Sequence, residues 1–322
     1  MKKYFGIIKN ETAVQPVRDH LNEICLAYMR GLAGTKLGVF HPAVRYNAML
    51  IIGDLDSKGP ESIGDPRPAE PLLEALEVMR AEFASKDQID AVRIAALIGL
   101  TRHAELDRHR PEGRRIPATG LRKLIEDLLE LASATKPPAN RTAAGHVWMR
   151  RQAVEALSLL ASTRPIGPVA KVMDEIISNP DEPLSLRCAV AQAQGRMRAP
   201  LAEGVTAEEA ALKLIRLGDE ALAAELDSLQ PYMDELRVAE AGTTGSTPLG
   251  GGRIDGGFDL IGSSTPSDET EVVLDKAPQI AAAQRRGKQR LLCISDGLFG
   301  VEGSPGVAAG IRDAATKSKV DR

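Results

Sequence analysis

The chain has 322 residues, and with 43% hydrophobic side chains it can bury a sizeable core; only 3% of its residues are aromatic, so small aliphatic groups must build that core. Helix packed on helix is the natural way to bury the Ala and Leu that recur throughout. A formal net charge of −3 excludes a chain drawn as a whole to nucleic acid or anionic lipid. The three cysteines, Cys25, Cys188 and Cys293, lie far apart, so they indicate neither a disulfide framework nor a zinc site; small buried apolar residues are expected.

The opening Met1-Lys2-Lys3-Tyr4-Phe5-Gly6-Ile7-Ile8 resembles the start of a secretory signal, but Lys9, Asn10 and Glu11 cut its apolar part short. A signal core needs roughly 7 to 15 apolar residues. The default expectation is therefore a cytoplasmic protein, or a secreted or periplasmic one if a signal precedes Met1. Nowhere is there a run of 18 apolar residues, so no membrane span is expected.

An amphipathic stretch, Val14 to Tyr28, comes first. It is followed by Val44-Arg45-Tyr46-Asn47-Ala48, which continues as the stripe Met49, Ile52 and Leu55. After a Pro- and Gly-rich insertion from Ser57 to Pro71, helical spacing resumes over Pro71 to Phe83 and again at Val92-Arg93-Ile94-Ala95-Ala96. A second insertion, Leu106 to Gly120, leads to Leu121 to Leu131 and then to Met149-Arg150-Arg151-Gln152-Ala153 with Leu157 and Leu160. Val169 to Ile177 and Leu186-Arg187-Cys188-Ala189-Val190 complete the series. One apolar face at helical spacing marks each as a helix packed on neighbours. Their alternation predicts helical hairpins, with the Arg recurring in each second helix.

The intervals between these arginines run from 37 residues (150 to 187) to 57 (93 to 150), around the 40 to 47 of HEAT and armadillo units. On these residues the chain resembles a HEAT-repeat protein over about residues 12 to 200. That family places an Asp six residues before the Arg, and Asp87 before Arg93 and Asp181 before Arg187 match it; the first and third units carry His41 and His146 four residues before Arg45 and Arg150 instead. The resemblance implies that Arg45, Arg93, Arg150 and Arg187, with Asp87 and Asp181, join adjacent repeats rather than bind a ligand. An acid at a helix start also favours the helix dipole.

Thr206 with Glu208 and Glu209 reads as a helix start, and the helix is expected to reach about Glu240, with a break near Gly218 and a kink or a second break at Pro231. Residues 241–271, rich in Gly, Ser and Thr, read as a flexible linker. A short helical tail is expected over 272–322, starting near Asp275, turning at Gly303-Ser304-Pro305-Gly306 and ending in a helix over Val307 to Thr316; it would dock back on the array or serve a partner. The predicted fold is thus an all-α irregular solenoid of HEAT-like pairs over 12–240, with linker and tail.

Chemical motifs are sparse. His103 and His109, with Glu105 and Asp107 between them, lack the spacing of a zinc motif and read as a solvated loop. Gly31-Leu32-Ala33-Gly34-Thr35-Lys36 follows a helix and has the wrong spacing for a phosphate loop. Ser295-Asp296-Gly297 forms no nucleophile elbow. No catalytic constellation, cofactor or metal is therefore predicted. Two basic clusters are candidate interaction sites, Arg108, Arg110, Arg114 and Arg115, and Arg285, Arg286, Lys288 and Arg290. Without aromatic residues to stack bases they read as solvated loops or sites for acidic protein partners rather than for nucleic acid. Trp148, whose i+4 and i+7 neighbours are Gln152 and Glu155, falls on a polar helix side and is a candidate anchor.

These features predict a noncatalytic scaffold that binds a protein or peptide. Some HEAT-like proteins are similar to bilin lyases or helical-repeat DNA glycosylases, so an enzyme or enzyme accessory of that type is the alternative, with a nucleic-acid scaffold third.

Overall fold

The computed structural model describes residues 14–34, 39–60, 68–243, 268–301, 304 and 306–309. It is mostly helical. The helices are α1 (Gln15–Ala33), α2 (Pro42–Gly53), α3 (Leu73–Ala84), α4 (Asp90–Asp107), α5 (Ala118–Ser133), α6 (Ala143–Ala161), α7 (Gly167–Ser178), α8 (Leu184–Arg196), α9 (Ala207–Thr243) and α10 (Asp268–Phe299). Two short antiparallel strands, β1 (Asp56–Lys58) and β2 (Glu70–Pro71), lie within the first Pro- and Gly-rich insertion. They are tied down from both sides: Asn22 Nδ2 of α1 donates to Asp56 O at 2.9 Å, and Arg102 Nη2 of α4 donates to Asp56 Oδ1 at 2.7 Å. The described residues fall into two compact units, one comprising the chain up to Ile215 together with Cys293 onward, the other Arg216–Leu292.

In the first unit α1 pairs with α2, α3 with α4, α5 with α6 and α7 with α8, four hairpins in succession. The second helices α2, α4, α6 and α8 pack one on the next, while α3, α5 and α7 form a second row. The apolar stripes read from the sequence line the seam: Met49, Ile52 and Leu55, and Leu157 and Leu160, are all essentially inaccessible, as are Leu97 and Leu100 of α4. Burial of each such side chain contributes about 1.5–3 kcal/mol. At the crossing of α2 and α4 the backbones meet through Gly53 and Gly99. A Cβ on Gly53 would stand 2.9 Å from Gly99 Cα, and one on Gly99 would collide with Met79 Sδ.

Helix α9 opens on a capping box. Thr206 Oγ1 accepts from Glu209 N at 3.2 Å and Glu209 Oε2 accepts from Thr206 N at 3.0 Å, two bonds that hold the Glu209 carboxyl below its ordinary range. The helix runs unbroken through Gly218, contrary to the break expected there, and through Pro231, which excludes a break at that position. Gly218 is buried, where packing outweighs its weak helix propensity, and Pro231 lies on an exposed stretch where the carbonyl it leaves unpaired faces water. Helices also extend into both ends of the predicted linker, at 241–243 and 268–271; the residues between, like most of the predicted final helix, lie outside the described residues.

The end of α10 and the turn after it pack on α8. Gln192 Nε2 donates to Asp296 Oδ2 at 2.9 Å, Val301 N to Gly195 O at 3.0 Å, and Ser304 Oγ to Arg196 O at 2.8 Å. Gly195 permits the approach, because a Cβ there would collide with the Asp296 carbonyl. Gly300, at φ +83°, ends α10 in the left-handed region with its N–H on Asp296 O at 2.8 Å.

Within the second unit, α9 and α10 are joined by Glu225, buried, which faces Arg286 at 3.1 Å and Arg290 at 2.6 Å. These two arginines are four residues apart, hence on one helix face.

Candidate functional site

Each recurrent arginine performs the same local task. Its Nε donates to a carbonyl in the last turn of the preceding helix: Arg45 to Ala33 O (3.3 Å), Arg93 to Phe83 O (3.0 Å), Arg150 to Ala132 O (2.9 Å) and Arg187 to Ile177 O (3.1 Å). Carbonyls at a helix C-terminus lack intrahelical donors and carry partial negative charge, so a guanidinium satisfies both needs. The hairpin is thereby closed at its loop end.

The terminal nitrogens then reach the next hairpin, and here the junctions differ. At the first junction Arg45 Nη2 donates to Gln88 Oε1 in the α3–α4 loop. At the third, Arg150 forks onto the Glu182 carboxylate at 2.6 and 2.7 Å, both side chains being buried. At the second the polarity is reversed. Arg141, in the α5–α6 loop, forks onto Asp90 at the start of α4 at 2.8 and 2.6 Å, and this pairing holds the Asp90 carboxyl below its ordinary range. His146 Nε2 donates to Ala134 O at 2.6 Å, which leaves Nδ1 to accept from Arg141 Nη1 at 3.2 Å. Burial, aided by Arg141 and Arg150, lowers the pKa of this imidazole.

A cavity of about 430 Å³ opens at this second junction, lined by the ends of α3 and α5, the two loops and the starts of α4 and α6. Its wall carries Lys86, Arg93, Lys136 and Arg141 against Asp90, Asp127 and Glu130. Burial, then the neighbouring Arg141, press Arg93 below the usual guanidinium value. Burial raises the pKa of Asp127 although Arg80 donates to it at 3.2 Å. The lining holds one aromatic residue, Phe83.

The residues singled out in the sequence are dispersed. Asp87 and Asp181 are exposed, and the bridging is done one residue later by Gln88 and Glu182. The first basic cluster is absorbed into the fold. Arg110 is buried and donates to Pro71 O at 2.6 Å, Arg114 pairs with Glu70 at 2.6 Å, Arg115 Nε donates to Arg110 O at 3.2 Å, and Arg108 pairs with Glu105 at 2.8 Å. In the second cluster Arg286 and Arg290 hold Glu225, while Arg285 and Lys288 are exposed. Trp148 is 38% exposed on α6.

His103 and Asp107 lie in the interior rather than in a solvated loop. Asp107 accepts from Ile116 N at 2.7 Å and Arg164 Nη2 at 2.8 Å, pinning the second insertion; His103 has no hydrogen-bond partner on either ring nitrogen among the described residues. Among the described residues no cluster of His, Cys, Asp and Glu is placed to hold a metal, and no helix is long and apolar enough to cross a membrane. All three cysteines are buried as free thiols.

Sequence reasoning missed Asp90, Arg141 and the cavity between them. The signal was present at the position five residues before each recurrent arginine, which holds Gln88 and Glu182 ahead of Arg93 and Arg187 but Gly145 ahead of Arg150. Helix α6 starts seven residues before its arginine, whereas α2, α4 and α8 start three before theirs, so Gly145 lies inside a helical first turn and offers no side chain. No family model, curated protein or solved structure matches this chain.

Proposed function

We propose that this chain is a noncatalytic interaction module, an irregular solenoid of HEAT-like hairpins that holds a protein or peptide partner. The observation that carries this reading is the set of large apolar side chains that helix α1 exposes. Its inward residues include Arg18, Asn22 and Cys25, whereas Val17, Ile24 and Tyr28 are 47%, 50% and 65% exposed at helical spacing. Asp19, His20 and Glu23 share the exposed side, but these large apolar side chains offer area that a partner's apolar groups would remove from water. The two-row stack of hairpins supports the same reading, since each hairpin packs on its neighbours and leaves lateral surface for a ligand.

The test is a pull-down from host lysate with the intact chain beside an Ile24→Glu/Tyr28→Glu variant, with bound proteins identified by mass spectrometry. A protein retained by the wild type and lost by the variant, at unchanged circular dichroism, supports the reading. An identical set of bound proteins removes α1 as the docking surface. The lyase- or glycosylase-type alternative calls for an aromatic-lined site, and the single aromatic residue in the cavity at the second junction weighs against it. A nucleic-acid scaffold draws little support from arginines that are mostly committed within the fold.

A further inference from the structure

The third junction shows which partner suits the recurrent arginine. Both terminal nitrogens of Arg150 fork onto one carboxylate, that of Glu182. A planar guanidinium matches the two oxygens of a carboxylate, which makes this pairing stronger and more directional than a single bond. At the second junction Arg93 donates its Nε to Phe83 O, and its terminal nitrogens have no hydrogen-bond acceptor among the described residues; Asp90 stands at 3.8 Å and is taken by Arg141. The residue one before the helix cap is Arg141 at this junction where it is Glu182 at the third, so no protein carboxylate forks onto Arg93, which instead lines a cavity of about 430 Å³, within the roughly 300–1,000 Å³ typical of small-ligand sites.

We propose that this cavity binds a carboxylate, which takes on Arg93 the place that Glu182 takes on Arg150. Lys86 and Lys136 are exposed around it and form no ion pair among the described residues, so they draw an anion inward. Asp127 and Glu130 in the same wall repel multiply charged anions, which selects a carboxylate over a phosphate. The carboxylate is that of a small organic acid or of a polypeptide chain end. The site is distinct from the α1 docking face and does not depend on it.

The experiment titrates the ¹⁵N-labelled full chain at low ionic strength with sodium butyrate, with acetyl-Ala-Ala-Ala bearing a free C-terminus, with the same peptide as its C-terminal amide, and with inorganic phosphate. Arginine Nε–H and backbone amide resonances report binding. Saturable shifts with the free acids, at least tenfold weaker in Arg93→Lys, are expected, because lysine keeps the charge and loses the fork. Binding of butyrate and peptide acid alike assigns recognition to the carboxylate alone; peptide acid without butyrate assigns a chain end.

Equal binding of the amide, tighter binding of inorganic phosphate than of either acid, no shift with either acid, or unchanged affinity in Arg93→Lys each overturns the proposal. Should Arg93→Lys unfold for want of its bond to Phe83, the exposed pair Lys86→Gln/Lys136→Gln takes its place. A several-fold weakening there supports the site and unchanged affinity rejects it. Loss of the pull-down partner in the α1 variant leaves these shifts in place, so the two readings fail separately.

Discussion

His103 is buried on α4 with neither ring nitrogen bonded among the described residues, and burial, with Arg102 and Arg110 adding repulsion, pushes its pKa down to about 3. The folded state therefore holds the imidazole neutral, while an unfolded chain takes up its proton below about pH 6.5. The stability this histidine supplies is accordingly complete above about pH 6.5 and is lost as the pH falls toward 3, at about 1.4 kcal/mol per pH unit. Between pH 7 and pH 5 the wild type should lose about 2 kcal/mol more than His103→Leu, measured by urea unfolding at both pH values. Equal losses would mean that protons reach the ring in the folded state. Nothing in the sequence marked this residue as interior, because His109, Glu105 and Asp107 around it gave the segment the composition of a solvated loop.

At the scale of helices and their junctions, the arginine locks carry an asymmetry that mutation can read. Glu182→Ala leaves the buried Arg150 guanidinium without its counter-charge and should cost about 3–5 kcal/mol, whereas Asp181→Ala, at an exposed neighbour, should change stability by less than about 0.5 kcal/mol. Denaturant titration of both variants checks this, and the opposite order would return the bridging role to Asp181.

The stripes and the recurrent arginines were legible because helical periodicity and a repeated residue type survive in one dimension. The acceptors were not, for two reasons. At the first and third junctions the side chain one residue before the cap, Gln88 or Glu182, meets the guanidinium while Asp87 or Asp181, two residues before it, is exposed, a distinction of backbone direction. Moreover, the carbonyls that take up Arg110 and Arg115 leave no mark in a sequence, so committed and free arginines read alike.

Across the whole chain, the C-terminal end matters to helices made long before it, since residues from Cys293 onward belong to the same compact unit as α8. A chain ending at Glu240 removes the bonds from Asp296, Val301 and Ser304 and uncovers the surface around Gly195. It should melt several degrees lower than the intact chain and bind more of a hydrophobic dye. Scanning calorimetry with dye fluorescence measures both, and an unchanged melting temperature would show that the α8 surface is stable uncovered. The apolar residues of the tail call for cover, but their seat on α8 depends on glycines at 195 and 297, whose sequence context signals nothing about close approach.

That late cover also has a consequence during synthesis. Gln192 leaves the ribosome with its partner Asp296 still 104 residues away. At about 5–20 residues per second, α8 waits on the order of 5–20 s before its lid is made. For that interval every nascent chain displays a patch of backbone and small side chains that the finished protein conceals, a window in which neighbouring chains on one message, or a chaperone, compete for the seat.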